Sequence, residues 1–379
     1  MDSFNRDLQN QLEKWLYKGK VLVLIGARQV GKTTLLQQMF QNNKETLWLN
    51  ADESTIRNRF EELNLNNIKS IIGNYKIVII DEVQRIANAG LLLKLMVDNF
   101  KQTQFIATGS SSLDISENIF EPLTGRQIQF HLYPFSLNEL YNGKSDFQIE
   151  QELAFHLVYG NYPDVCKNRA DAETLIKNLS NQYLYKDVLA WKDIRKPDLL
   201  DKILKLLAYQ IGSEVSINEL ANTLQVKSET VESYINLLEK SFVVFRLSAY
   251  STNARKEVSK MSKIYFWDNG VRNAVIDSLE DLSLRNDVGQ LWENLMISER
   301  LKMNTYFHPK IKPYFWRNYN QSEVDYVEIL KDQIFGYEMK WNKNKNHKIS
   351  KAFTNIYPNS TNDIINPRNF TQFCRINQE

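Results

Sequence analysis

Residues 26–33 read Gly-Ala-Arg-Gln-Val-Gly-Lys-Thr and follow directly on the apolar run Val21-Leu22-Val23-Leu24-Ile25. Five apolar residues, three of them β-branched, predict a buried strand, and Thr34-Leu35-Leu36-Gln37-Gln38-Met39-Phe40 predicts a helix. A G-x-x-x-x-G-K-[ST] segment between a strand and a helix is a phosphate-binding loop. Its spacing has a chemical reason. Gly26 and Gly31 let the backbone close into a nest of N–H groups, and the positive end of the following helix adds to that field. Lys32 then reaches the β- and γ-phosphates, and the Thr33 hydroxyl is placed to ligate Mg²⁺. The loop residues Gly26, Ala27, Arg28, Gln29, Val30, Gly31, Lys32, Thr33 and Thr34 form the candidate nucleotide site.

The same alternation continues to about residue 134. Apolar runs at 21–25, 46–49, 77–80, 104–107 and 127–132 are separated by helix-like stretches, an order that predicts a mostly parallel sheet covered on both faces. Ile77-Val78-Ile79-Ile80-Asp81-Glu82 supplies the second half of the site. Asp81 is expected beside the Mg²⁺ held by Thr33, and Glu82 is expected to polarise the attacking water, which points to hydrolysis. Phe105-Ile106-Ala107-Thr108-Gly109-Ser110-Ser111 is a further strand ending in hydroxyls. If it lies between the other two strands, Ser110 or Ser111 reaches the γ-phosphate or the lytic water; the alternative is a Ser-rich turn. Arg126, in Leu123-Thr124-Gly125-Arg126, is either a guanidinium that stabilises charge on the transferred phosphoryl group or a surface arginine.

Composition bounds the rest. A chain of 379 residues suits two or three domains. No apolar run approaches the roughly 18 residues that span a bilayer, so no membrane association is expected. Met1-Asp2-Ser3-Phe4-Asn5-Arg6-Asp7 lacks the layout of a signal peptide. The two cysteines, Cys166 and Cys374, lie far apart without metal-ligand spacing, which predicts a reduced, cytoplasmic setting and no zinc site. The net charge of +2 neither demands nor excludes DNA or RNA as a partner.

Beyond Pro134 the strand signal stops. Residues 135–199 read as a helical connector broken at Gly160-Asn161-Tyr162-Pro163. In residues 200–258, Ser216-Ile217-Asn218-Glu219 is a capping-box signature, Ser228 is the expected cap of a second helix, and the strand Phe242-Val243-Val244-Phe245 comes next. Helix, short turn, helix and strand fit a winged helix or a small helical lid.

Residues 259–379 return to a mixed pattern, with a helix over 291–302, strands over 314–317, 324–330 and 334–341, and a helix over 349–356. Glu338 and Lys340 share one strand face, and a hairpin would bring Asp325 to the same end. With Glu293 these acids can hold Mg²⁺ or Mn²⁺ and orient a water for phosphodiester attack, although D-x₁₂-E-x-K alone is a loose pattern. Trp316-Arg317 and the cluster Lys343, Lys345, His347 and Lys348 either line a nucleic-acid groove or form a solvated loop.

Taken together, these residues resemble a widespread prokaryotic family of AAA-type ATPases. Its members join a P-loop domain to a winged helix and a C-terminal domain of unknown function with a PD-(D/E)xK nuclease-like core. The resemblance rests on residues 26–36 and on Asp81-Glu82-Val83-Gln84-Arg85, with Thr108-Gly109-Ser110-Ser111, residues 123–126 and residues 160–163 between. Late in the chain, Lys263-Ile264-Tyr265-Phe266-Trp267-Asp268-Asn269-Gly270, Glu323-Val324-Asp325 and Glu338-Met339-Lys340 continue it.

The resemblance implies an α/β P-loop NTPase sheet in residues 1–134, then a helical and winged-helix region, and a restriction-endonuclease-like α/β domain at the C-terminus. It implies ATP and Mg²⁺ as the ligands, Ser110 or its neighbour as polar sensor, and Arg126 as a nucleotide-responsive arginine. Glu293, Asp325, Glu338 and Lys340 then form the nuclease-like core, with cleavage left open. Two uses fit: an ATPase that controls a half acting on nucleic acid, or a non-cleaving switch that binds protein partners or further copies of itself.

Overall fold

A computed structural model describes residues 4–110, 121–183, 196–251, 262–342 and 348–374. Ser111 and the stretch 343–347, with Lys343, Lys345 and His347, lie outside the described residues. The chain divides into two units, residues 1–133 with 240–242, and residues 134–239 with 243–379.

In the first unit β1 (Val21–Ile25) leads through the loop into α1 (Lys32–Phe40). After it come β2 (Thr46–Asn50), β3 (Ile77–Asp81), α2 (Ala89–Asn99), β4 (Gln104–Gly109) and β5 (Gln127–His131). Every neighbouring pair is parallel, in the order β2-β3-β4-β1-β5. The central strands β1 and β4 are buried along their whole length, which is why they read as unbroken apolar runs. Because the strands are parallel, the segments after β1, β3 and β4 all leave from one edge of the sheet. The phosphate loop, the two acids and the hydroxyls converge there.

In the second unit the first long helices are α3 (Asp146–Tyr159), α4 (Ala172–Tyr183) and α5 (Pro197–Tyr209). A compact module is next: β6 (Glu214–Val215), α6 (Ile217–Leu224), α7 (Ser228–Lys240), β7 (Val244–Leu247) and β8 (Ser262–Phe266). Its three strands form an antiparallel sheet in the order β6-β8-β7. Ser216 Oγ accepts the Glu219 N–H at 3.3 Å and caps α6. Ser228 is the first residue of α7 rather than its cap, and its hydroxyl donates to Asn218 Oδ1 across the turn. A boundary at 258/259 would cut this sheet, since β8 lies beyond it and pairs with both β6 and β7.

Two glycine motifs weld α3 to α8 (Asn269–Val275). Gly160 has φ +75°, and a Cβ there would lie 2.1 Å from Asp268 Oδ1, which caps α8. A Cβ on Gly270 would lie 2.0 Å from the Tyr159 carbonyl oxygen. Asp268 Oδ2 accepts the Asn161 N–H at 2.6 Å. Buried Glu299, on α9 (Val288–Phe307), accepts from the Asn161 side chain, the Leu137 N–H and Lys302 Nζ.

The chain ends in β9 (Lys312–Arg317), β10 (Glu323–Leu330), β11 (Gln333–Met339) and β12 (Thr361–Ile365). The sheet order is β12-β11-β10-β9, antiparallel except for the parallel β11–β12 pair. Trp316, Val324, Val327 and Phe353 form a core on this sheet.

Candidate functional site

The phosphate loop is built as its spacing requires. Gly31 (φ +94°) and Gln29 (φ +62°) adopt left-handed backbone, and a Cβ on Gly26 would lie 2.1 Å from the Leu132 carbonyl oxygen. Lys32 is buried, with Nζ 2.9 Å from the carbonyl oxygens of both Gly26 and Ala27, so its charge faces the inside of the loop. Thr33 Oγ1 donates to Asp81 Oδ2 at 2.8 Å, joining the hydroxyl and the carboxylate expected to share Mg²⁺. A nest, a buried lysine and a hydroxyl–carboxylate pair fit a magnesium nucleotide.

Thr108 organises the acids. It is the penultimate residue of wholly buried β4, between β1 and β3, and its hydroxyl donates to Asp81 Oδ1 while accepting the Glu82 N–H at 3.1 Å. Glu82 sits in left-handed backbone at φ +53°, a conformation that costs a non-glycine residue about 1–2 kcal/mol. Its Oε2 accepts from Gln84 Nε2 at 2.6 Å, and the same amide lies 3.3 Å from Ser110 Oγ. Ser110 therefore meets Glu82 through Gln84 rather than directly.

Arg126 stands elsewhere. It immediately precedes β5, and its carbonyl accepts the Val21 N–H at the start of β1. The loop leaves from the opposite end of β1, roughly 16 Å away at about 3.3 Å per residue. The Arg126 guanidinium pairs with Asp98 Oδ1 at 2.8 Å, and this pair raises the arginine and lowers the aspartate from their ordinary ranges. Within its own unit Arg126 does not join the nucleotide-site residues.

The second unit gathers the late acids. A bulge in β10 between Val324 and Val327 re-aims Asp325, and the β10–β11 ladder carried one step further sets it opposite Glu338. Asp325 Oδ2 accepts the Met339 N–H at 2.8 Å and Lys340 Nζ at 3.2 Å, while Glu338 Oε2 pairs with Lys340 at 2.7 Å. Burial and the neighbouring Asp325 push the Glu338 carboxyl up to about 8. Burial and Asp325 likewise raise Glu293, on α9, to about 7. Glu293 Oε1 accepts from Tyr265 OH at 2.7 Å and from Lys263 Nζ at 3.2 Å, and Lys263 also bonds Glu323. Among the described residues, no group of three or more His, Cys, Asp or Glu side chains is arranged to hold a metal ion. The acids face lysines.

Comparison with known proteins divides the chain along the same lines. Residues 18–141 match the family model described as an AAA domain, while 150–282 and 288–375 match two domains of unknown function. The Walker-type ATPase paby2304 of Pyrococcus abyssi superposes with a TM-score of 0.51 at 18% identity, covering 73% of this chain and 96% of that one. The N-terminal unit has the P-loop NTPase fold. An uncharacterized protein of Mycobacterium tuberculosis is 26% identical over 340 residues, 88% of this chain and 73% of its own length. One from Methanocaldococcus jannaschii is 26% identical over 321 residues, 78% of this chain and 68% of its own. The AAA-domain match supports ATPase activity, and the Walker-type neighbour shows the fold. Among the described residues no helix is long and apolar enough to cross a membrane.

The structure draws four further residues into these sites, none of them singled out by the motifs. Buried Arg6 donates to the Val30 carbonyl at 2.7 Å and to the Tyr133 carbonyl at 2.7 Å, propping the loop from far upstream. Gln84, Lys263 and Tyr265 each lie inside a motif, but nothing in the sequence says what they face. The sequence of β4 names Thr108 among its terminal hydroxyls; only the strand order shows that it is the one touching both acids.

Proposed function

We propose that this chain binds ATP with Mg²⁺, hydrolyses it, and uses the nucleotide state to switch the activity of its C-terminal half. The observation that carries the reading is the Thr33–Asp81–Thr108–Glu82 arrangement, in which one buried hydroxyl fixes both acids at the end of β3. Lys32 and the loop N–H groups hold the β- and γ-phosphates, and Thr33 and Asp81 hold the cation. The cation, when bound there, would neutralise charge that develops on the phosphates. Glu82 orients a water and takes its proton, with Gln84 fixing the carboxylate. Because Arg126 leaves its own nucleotide beyond reach, we assign its action to the site of a second copy, which makes the hydrolysing species a homo-oligomer. Undiminished ATP affinity in Lys32→Ala would sink the phosphate-loop assignment.

The order of α5, β6, α6, α7, β7 and β8 supports a winged helix, and its charges limit how it meets nucleic acid. α7 carries Glu229, Glu232 and Glu239 against Lys240, a poor complement to a phosphate-lined groove. The stretch between β7 and β8 carries Arg255, Lys256 and Lys260 against Glu257. DNA or RNA contact would thus be phosphate-directed through that stretch, weak in sequence preference and steep in salt.

A second reading concerns the C-terminal acids. The meeting of Asp325, Glu338 and Lys340 favours a Mg²⁺ or Mn²⁺ ion shared by the two carboxylates, with phosphodiester chemistry as its use. Two facing carboxylates fit such an ion in charge, since it would offset the burial and the Asp325 repulsion that together raise Glu338. ATP turnover and cleavage, measured with and without DNA in Mg²⁺ and in Mn²⁺, separate this reading from a switch that acts only on protein partners.

A further inference from the structure

The motif Lys263-Ile264-Tyr265 belongs to β8, in the three-stranded sheet, yet both polar side chains reach Glu293 on α9, and Lys263 also reaches Glu323 of the four-stranded sheet. Lys263 is 1% exposed. Its Nζ bonds Glu293 Oε1 on α9 and Glu323 on β10, and lies 5.5 Å from the centre of the Phe315 ring. An ammonium so enclosed stays only where carboxylates compensate the lost hydration. Tyr265 OH fixes the same Glu293 oxygen. The contact is reinforced at its rim, where Arg317 of β9 bonds Glu214 of β6 at 2.9 Å and Glu323 at 3.5 Å. Backbone bonds join the two sheets as well, from Phe315 N–H to the Ser248 carbonyl and from Tyr250 N–H to the Phe315 carbonyl.

We propose that Lys263 is the resident cation on the Glu293–Glu323 side of the C-terminal acid cluster, as Lys340 is on the Asp325–Glu338 side, and that it excludes a divalent cation from the cluster. Asp325 and Glu338 share Lys340 and make at most a weak divalent site, and Glu293 is the further acid such an ion would have to recruit. Lys263 and Tyr265 occupy Glu293, and the buried ammonium repels a second cation brought to Asp325. Loss of the lysine frees Glu293 and Glu323 together and leaves a surplus of negative charge that a divalent ion would neutralise. The inference rests on the reading of Asp325 and Glu338 as a cation pair, and its test separates the two.

Mn²⁺ binding to the full chain without nucleotide is measured by the free-Mn²⁺ electron paramagnetic resonance signal and by thermal shift. The variants are Lys263→Met, Lys263→Arg and Lys263→Met combined with Glu338→Gln. Lys263→Met should bind Mn²⁺ at least tenfold more tightly than wild type, Lys263→Arg should match wild type, and the double variant should lose the gain. Tyr265→Phe removes the other donor that holds Glu293 while sparing Lys263, and should raise Mn²⁺ affinity at least threefold even where Lys263→Met fails to fold. Equal, Glu338-dependent binding by wild type and Lys263→Met would leave the cation pair standing and overturn the role of Lys263. No Glu338-dependent binding in any variant would overturn both.

Discussion

Replacing Thr108 with Val keeps the shape of a buried residue and removes one hydroxyl, which serves Asp81 and Glu82 at once. The Glu82 N–H loses its acceptor, a cost of about 1–3 kcal/mol, and the bond to the Asp81 carboxylate was worth about 1.5–3 kcal/mol. Asp81 keeps its bond from Thr33, so part of the second loss is recovered and the net cost is about 2–4 kcal/mol. At roughly 3 °C per kcal/mol, thermal unfolding of the first unit should fall by about 6–12 °C. Glu82 is held at φ +53° partly by this bond, so its backbone gains freedom to relax. A misplacement worth about 1.4 kcal/mol already lowers turnover tenfold. Differential scanning fluorimetry and steady-state phosphate release read the two effects, and Thr108→Ser should restore both. A Thr108→Val protein that melts within 1 °C of wild type and turns over within twofold of it, margins of about the usual assay scatter, would refute the strap.

Glu338 and Glu293 are raised in the folded chain, to about 8 and about 7, so their contribution to stability is complete below the ordinary carboxylate range and is lost as pH rises through those values. Urea midpoints of the second unit should fall between pH 5 and 8, and Glu338→Gln should flatten that slope; an unchanged slope contradicts the crowding of Asp325 and Glu338. Gly160→Ala places a methyl 2.1 Å from Asp268 Oδ1 on left-handed backbone and should cost at least about 2 kcal/mol; a wild-type urea midpoint would show that the two motifs do not lock. Arg126→Ala should leave ATP affinity intact and abolish any rise of specific activity with protein concentration; a wild-type concentration profile would end its assignment to a neighbouring site.

Local chemistry made part of this protein legible in its sequence. β1 and the phosphate loop could be read because an apolar run, two glycines and a lysine at fixed spacing admit one arrangement, and Asp81-Glu82 yielded to the same logic. Thr108 was hidden among three hydroxyls because its partners lie on a strand 27 residues away in sequence and adjacent only through strand order. Arg126 stayed open between a charge-stabilising guanidinium and a surface arginine because residue type carries no information about which end of a sheet it occupies. β6 has two residues and β8 pairs across a long intervening stretch, so neither gave a periodic signal, and the boundary at 258/259 fell inside their sheet. β12, with its alternating polar surface, was missed for the same reason. The role of Lys263 depends on two sheets meeting, which no spacing along the chain encodes.

The most direct measurement of the central claim compares ATP binding and ATP turnover in wild type and Glu82→Gln, in the presence of Mg²⁺. The amide preserves the shape of the side chain and cannot accept the proton. Binding should be unchanged within about threefold and turnover lower by about 10²-fold or more. Wild-type turnover in Glu82→Gln would contradict the claim, because some other group would then be activating the water.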